Sequence, residues 1–478
     1  MRCVVGIDLG STTTKALLLT EEGEVLGRGI TNSRSSYDVA CAVAREEALT
    51  AARFHLLERH LAALPAAAGQ RTDLETRLKE AFRLELYLDH LGQLREEIDQ
   101  LLAAPHQREW RDLLSGAVAE ILGRAEAGAP ELFAGPGSRK SDFFRDLAGA
   151  AFVEEAERIA ARGPDRGGVP FERLLALYDR AILAVETRLQ ARSFSDLLRR
   201  AAARVRRGSG GRLDLDRRLT RVVEAVAAEP IEELTFVGTG YGRQTLPFPK
   251  ESVRSEILCH GRGAHRFFPG TRTVLDIGGQ DTKAIQVDPT GVVTSFQMND
   301  RCAAGSGRYL GYLADELNLG LHELGPLALQ AKRQVRVSST CTVFAGAELR
   351  ERLALGEARE DVLAGLHRAM MLRALSLLAR SGGVFDQFTF TGGVARNPMA
   401  VEVLRELVAE NYGDGVGINI HTDSIYMGAM GAALFALEDL AAGKGGSLPD
   451  HPSSPRPSPP LAGRRGRPHP RASADVRL

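Results

Sequence analysis

"DLGSTTTK" (Asp8–Lys15) and "DIGGQDTK" (Asp276–Lys283) are one pattern written twice. Each follows an apolar run, opens with Asp, a branched apolar residue and Gly, and closes with Thr-Lys. An apolar strand that ends in Asp and Gly and turns straight back is a hairpin signal. Two copies far apart in the chain predict two similar halves facing each other. The residue types suit a nucleotide. Glycine backbones at Gly10, Gly278 and Gly279 let N–H groups approach phosphate oxygens, while Ser11, Thr12, Thr13 and Gln280 add side-chain donors and Lys15 adds a positive charge. Asp8, Asp276 and Asp281 can hold Mg2+ through water or orient the attacking water. Either copy alone reads equally well as a plain turn. Repetition, with a third Gly-rich strand end at "TFTGGVARNP" (Thr389–Pro398), favours the phosphate grip. There Gly392 and Gly393 leave room for a flat base or ribose, and Asn397 before Pro398 suits a helix start.

The chain has 478 residues, room for roughly two or three domains. Lys+Arg and Asp+Glu both number 61, so no net charge steers it toward nucleic acid or an anionic membrane. No charged-then-apolar leader opens it and no apolar run approaches a membrane span, so the expected address is cytoplasmic. After the first hairpins (1–37), residues 38–229 turn rich in Ala, Leu, Arg and Glu with helical spacing and are expected to form a helical insertion. The remainder of the first half is expected at 230–270 and the second half at 271–442. Alternating strands and helices there predict an α/β fold. From 443 to 478 the composition turns Pro-, Arg- and Ser-rich, and a disordered tail is expected.

Five cysteines, Cys3, Cys41, Cys259, Cys302 and Cys341, are too few and scattered for a disulfide scaffold. Cys302 lies in "NDRCAAGSGRYL" and Cys341 in "SSTCTVFAGAEL", each just before a helical pattern. A thiol at a helix N-terminus has a lowered pKa and can support an anionic centre. Three readings stay open: a buried structural cysteine, a zinc site needing further ligands, and half of the four thiolates an iron–sulfur cluster takes. Cys3, in a strand, and Cys41, on an Ala-rich helix, read as structural.

Taken together, the two Asp-x-Gly hairpins and the later Gly-Gly segment resemble the ASKHA superfamily of actin, sugar kinases and Hsp70, whose two ribonuclease-H-like halves hold nucleotide and magnesium between them. "GIDLGSTTTK", "DIGGQDTK", "NDRCAAGSGRYL", "SSTCTVFAGAEL" and "TGGVARN" further resemble the BadF/BadG/BcrA/BcrD-type ATPases. These are the ATP-dependent activators of 2-hydroxyacyl-CoA dehydratases and the ATP-binding subunits of class I benzoyl-CoA reductase. The resemblance covers about half the chain. It implies ATP, Mg2+ and one 4Fe-4S cluster shared between two subunits, with Cys302 and Cys341 as this chain's ligands. The helical insertion departs from the short dehydratase activators. With "EVLGRGITNSRSSYDVACAVAREEAL" (Glu24–Leu49) it resembles the larger ATP-binding polypeptide of the reductase. That implies a shorter paralogous partner, acyl-CoA-reducing subunits and a ferredoxin-like electron donor. A sugar or acid kinase would need a carboxylate base, for which Asp300 can be offered, and would leave both thiols unexplained.

Overall fold

The computed structural model describes residues 1–444 except 34–35, 65–67, 106–107, 136–143, 163–167, 188–192, 209–212, 241–245, 300–305, 318, 338–341 and 386. The expected tail from 445 onward, Asp300, Cys302 and Cys341 therefore lie outside the described residues.

Two sheets share one strand plan. In the first, β1 (Arg2–Leu9), β2 (Thr13–Leu19) and β3 (Val25–Asn32) form an antiparallel meander, and β4 (Glu232–Gly240) lies parallel to β1, in the order β3-β2-β1-β4. In the second, β5 (Thr273–Ile277), β6 (Thr282–Val287) and β7 (Val293–Asn299) repeat the meander. There β8 (Phe388–Thr391) lies parallel to β5 and the short β9 (Ile418–Asn419) parallel to β8. β1 and β5 are buried almost end to end, as central strands covered on both faces must be.

Seven helices occupy the described residues between β3 and β4: α1 (Tyr37–Ala62), α2 (Ala68–Leu102), α3 (Arg111–Leu132), α4 (Phe144–Ala160), α5 (Phe171–Thr187), α6 (Phe194–Gly208) and α7 (Leu213–Ala228). α1 roots them on the first sheet. A Cβ at Gly27 or Gly29 would meet the carbonyl of Ala48 or Ala44 at 2.1 or 2.0 Å, so only glycine lets that helix backbone lie directly on β3. Arg45 of α1 clamps Glu233 of β4 through two hydrogen bonds of 2.6 and 2.5 Å. The helices then bury two cores of their own. One joins Leu91, Ile121, Phe152 and Ile182 of α2 to α5; the other joins Leu57, Phe82, Leu198 and Val223 of α1, α2, α6 and α7.

Beyond β4 come α8 (Glu256–Phe267), α9 (Gly307–Glu316), α10 (Leu321–Ala328), α11 (Thr342–Ala354), α12 (Arg359–Ser381), α13 (Pro398–Tyr412) and α14 (Met427–Ala441). α12 and the stretch Ser424–Ala441 are long and apolar enough by composition to cross a membrane, contrary to the expectation that no such run exists. Their apolar residues instead fill cores: Met370, Met371 and Leu378 of α12 pack with Phe388 and Phe390, and Ala429, Met430 and Ala433 of α14 pack with Val4, Leu17 and Val237. α14 returns to cover β1 and β4 of the first sheet, a long-range pairing that helical periodicity cannot encode.

Candidate nucleotide cleft

The repeated motif places its chemistry by register. Asp8 on β1 faces Lys15 on β2, and Asp276 on β5 faces Lys283 on β6, at equivalent rungs of the two ladders. A threonine stands on the parallel side of each: Thr239 beside Asp8 and Thr391 beside Asp276.

The halves then diverge. Thr391 Oγ1 donates to Asp276 Oδ1 at 2.8 Å, whereas Thr239 Oγ1 donates to the Arg254 carbonyl at 3.0 Å. Among the described residues, Asp8 Oδ1 is left buried without a hydrogen-bond partner. A buried carboxylate oxygen with no partner is costly unless something outside the protein satisfies it. The lysines diverge too. Lys283 has a side chain only 2% exposed and meets Asp281 at 2.8 Å, Glu256 at 3.0 Å and Asp276 at 3.4 Å. Burial alone would lower its pKa, but Asp276, Glu256 and Asp281 together hold it above the ordinary lysine value. Lys15 is 15% exposed and stands 3.9 Å from Asp8 Oδ2, so its charge is the less committed of the two.

One residue unforeseen from the sequence joins the halves. His260 on α8 sets Nε2 3.9 Å from Asp8 Oδ2 and Nδ1 3.3 Å from Asp276 Oδ1, the latter without hydrogen-bond alignment. Burial opposes its charge, yet Asp276 outweighs burial and raises the His260 pKa; in turn His260 and Lys283 overcome burial to hold Asp276 below the usual carboxylate range. Asp8, Glu256 and His260 bring one ligand atom each within 4.8 Å of one another. The orphaned Asp8 oxygen fits a divalent cation or its bound water. Asp276 and Asp281, engaged by Lys283, fit that role less well than the sequence suggested.

The two turns meet. A Cβ at Gly279 would lie 2.0 Å from Thr12 Oγ1, so the second loop needs glycine where the first presents its threonine. Ser33, another residue not foreseen, shapes the first loop: Oγ donates to the Gly10 carbonyl at 2.5 Å and its N–H donates to the Thr12 carbonyl at 2.8 Å. Thr13 is drawn into β2 opposite Asn32, and Ser11 stays in the turn. In the second loop Gly278 N–H donates to the Asp281 carbonyl at 3.0 Å. The N–H groups of Gly307 and Arg308, opening α9, donate to the carbonyls of Gly278 and Gly279 at 2.8 Å each. With its amide oriented so that the oxygen faces Arg308, Gln280 accepts from the Arg308 guanidinium.

In the third Gly-rich segment the two glycines and Asn397 are placed differently. Gly392, at φ 86°, has its missing side chain against the Ile277 carbonyl, 2.3 Å from a Cβ placed there, so it serves the turn; Gly393 faces open space. Asn397 is spent on structure: Oδ1 accepts from Ala400 N–H at 3.1 Å, capping α13, and Nδ2 donates to His367 Nε2 at 3.1 Å. His367 Nδ1 donates to the Leu363 carbonyl at 2.7 Å while Nε2 accepts from Asn397, so the ring is neutral, and burial pushes its pKa down to about 4. Stability from this group is present above the ordinary histidine pKa and is lost as pH falls toward 4. Parent protein should therefore lose about 2 kcal/mol more than His367→Gln between pH 7 and pH 5. Equal losses in chemical denaturation at the two pH values would reject this.

Cys3, Cys41 and Cys259 are buried and free. Burial pushes the Cys3 and Cys259 thiols up to about 12 and Cys41 higher still, so none is a ready thiolate ligand.

The profile of the BadF/BadG/BcrA/BcrD ATPase family matches residues 5–436. The (R)-2-hydroxyglutaryl-CoA dehydratase activating ATPase of Acidaminococcus fermentans is 41% identical over 213 residues, 44% of this chain and 78% of that protein. A benzoyl-CoA reductase subunit of Thauera aromatica is 36% identical over 203 residues, 42% of this chain and 71% of that protein. The crystal structure of component A of the Acidaminococcus fermentans dehydratase superposes with a TM-score of 0.51 at 23% identity, covering 92% of this chain and all of that one. The fold is the two-sheet ASKHA type with many added helices.

Proposed function

The chain belongs to the BadF/BadG/BcrA/BcrD ATPase family, and from that premise we propose that it hydrolyses ATP to activate electrons for an acyl-CoA-reducing partner. The observation that carries the ATP reading is the asymmetry between the hairpins. Asp276 is fully partnered, whereas Asp8 presents an orphaned oxygen beside the less committed Lys15. In this reading the turns at Gly10–Thr13 and Gly278–Asp281 hold the phosphates, Lys15 meets their charge, and Gly393 leaves room for the nucleoside. Asp8 holds Mg2+ or a water bound to it, with Asp276 and Asp281 behind it. Magnesium there would neutralise charge developing on the phosphates.

Electron activation rests on Cys302 and Cys341, two ligands per chain for a 4Fe-4S cluster completed by a second subunit. The hydrogen bonds from Gly307 and Arg308 to the second phosphate turn support coupling, because Cys302 stands five residues before α9 in the sequence. A change in that turn is thereby delivered to the cluster's surroundings, by no more than nucleotide prefers one arrangement over the other. The helices between β3 and β4 favour a benzoyl-CoA reductase subunit working in the cytoplasm with a shorter paralogous ATPase, acyl-CoA-reducing subunits and a ferredoxin-like donor. No net charge recommends nucleic acid as a partner.

The second reading, an activator of a 2-hydroxyacyl-CoA dehydratase working as a homodimer, is favoured by the 41% identity to the Acidaminococcus fermentans ATPase. Anaerobic purification of the chain, alone and co-expressed with a shorter ATPase of the same family, separates them. A heterodimer with about four irons per pair that supports ATP-dependent benzoyl-CoA reduction establishes the first. A homodimer that activates only dehydration of a 2-hydroxyacyl-CoA establishes the second.

A further inference from the structure

We propose that His260 is a positioning residue that fixes Asp8 of the first half relative to Asp276 of the second for ATP turnover, an inference that rests on the nucleotide reading above. α8 is placed to do this because it packs on both halves. Ile257 and Ala264 join Val274, Ile285 and Val287 of the second sheet, and Cys259 joins Val4, Leu17 and Val237 of the first. Its imidazole thus stands where the two hairpin carboxylates converge, with one ring nitrogen toward each.

The neighbouring helix is cut away to allow it. A Cβ at Gly428 of α14 would lie 2.6 Å from Asp8 Oδ2 and 2.9 Å from His260 Nε2, and one at Gly431 would lie 1.9 Å from the Cys259 carbonyl. Glycine at these two places lets α8 and β1 close until imidazole and carboxylate face each other. The other charged groups facing this point are Glu256, 3.9 Å from Nε2, Lys283 on the second half and Lys15 on the first.

Packing alone does not account for the residue. An imidazole buried with Nδ1 lacking a hydrogen bond costs more than an apolar side chain of similar volume. Asp276 does not depend on it alone, since Thr391 and Lys283 also meet that carboxylate. Asp8 depends on it most: among the described residues its Oδ1 has no partner, and Oδ2 has only Lys15 and His260, both at 3.9 Å. His260 is therefore the tie through which the first carboxylate keeps its place relative to the second, and the contact that matters is the one through Nε2.

That specificity gives the test. In the full chain, His260→Ala should lower kcat for ATP about tenfold to a hundredfold while ATP affinity, read by calorimetry, changes less than about threefold. His260→Gln, which places an amide donor near the Nε2 position, should recover most of the loss; His260→Asn, which mimics Nδ1, should not. All three should melt within a few degrees of one another. Alanine turnover within twofold of the parent, or equal impairment of the Gln and Asn variants in step with their melting temperatures, overturns the inference. A parent that binds no ATP in the same calorimetric experiment overturns the nucleotide reading itself.

Discussion

Replacing Cys302 or Cys341 with serine is expected to strip iron from the anaerobically purified pair of subunits, from about four atoms to near zero, and to abolish the visible absorbance. A serine hydroxyl is a hard, weakly acidic donor that replaces thiolate poorly toward iron. A cluster that draws only two ligands from each chain has none in reserve. The three remaining cysteines cannot substitute, because Cys3, Cys41 and Cys259 are buried in the first half or its attached helices with thiols held protonated. Their own serine variants should keep the iron. ATP hydrolysis should survive in the Cys302 and Cys341 variants within an order of magnitude, since the turns proposed to hold the phosphates are built from other residues. Iron and acid-labile sulfide analysis decides the matter. Full retention of iron in both variants would sink the cluster assignment and leave the kinase-like alternative standing.

What was legible in the sequence follows the range of the physics. Asp8 with Lys15 and Asp276 with Lys283 were legible because a tight hairpin fixes register locally, so a repeated string becomes a repeated geometry. The helices between β3 and β4 were legible as helices from their spacing, and the α/β character from alternation. Contacts made across the fold were hidden. Nothing in "EILCH" announces that its histidine will stand between two carboxylates from different sheets, nor in Thr239 and Thr391 that one will serve its aspartate and the other will turn away. Ser33 and Glu256 were missed for the same reason. Gly392 and Gly393 are adjacent and identical, yet one faces the Ile277 carbonyl and the other open space, a distinction only the backbone path makes. Asn397 was assigned to nucleotide and to a helix start, and its amide is consumed by the helix start and His367.

The asymmetry between the two hairpins predicts that the two aspartates fail differently. Asp8→Asn should lower Mg2+-dependent ATP hydrolysis by about a hundredfold or more while leaving the melting temperature nearly unchanged. Among the described residues its Oδ1 satisfies nothing, and its ion contacts with Lys15 and His260 are both long. Asp276→Asn removes the charge that Lys283 and His260 both face inside the core. Breaking a buried pair by deleting one charge costs about 3–5 kcal/mol, so this variant should unfold early as well as lose turnover. Thermal denaturation and a steady-state hydrolysis assay on the same preparations separate the two effects. If Asp8→Asn hydrolyses ATP within tenfold of the parent, the orphaned oxygen is not where the cation or the attacking water is held. If it is instead as unstable as Asp276→Asn, Asp8 belongs to the scaffold that Lys283 organises, and the catalytic half of the repeated motif lies elsewhere.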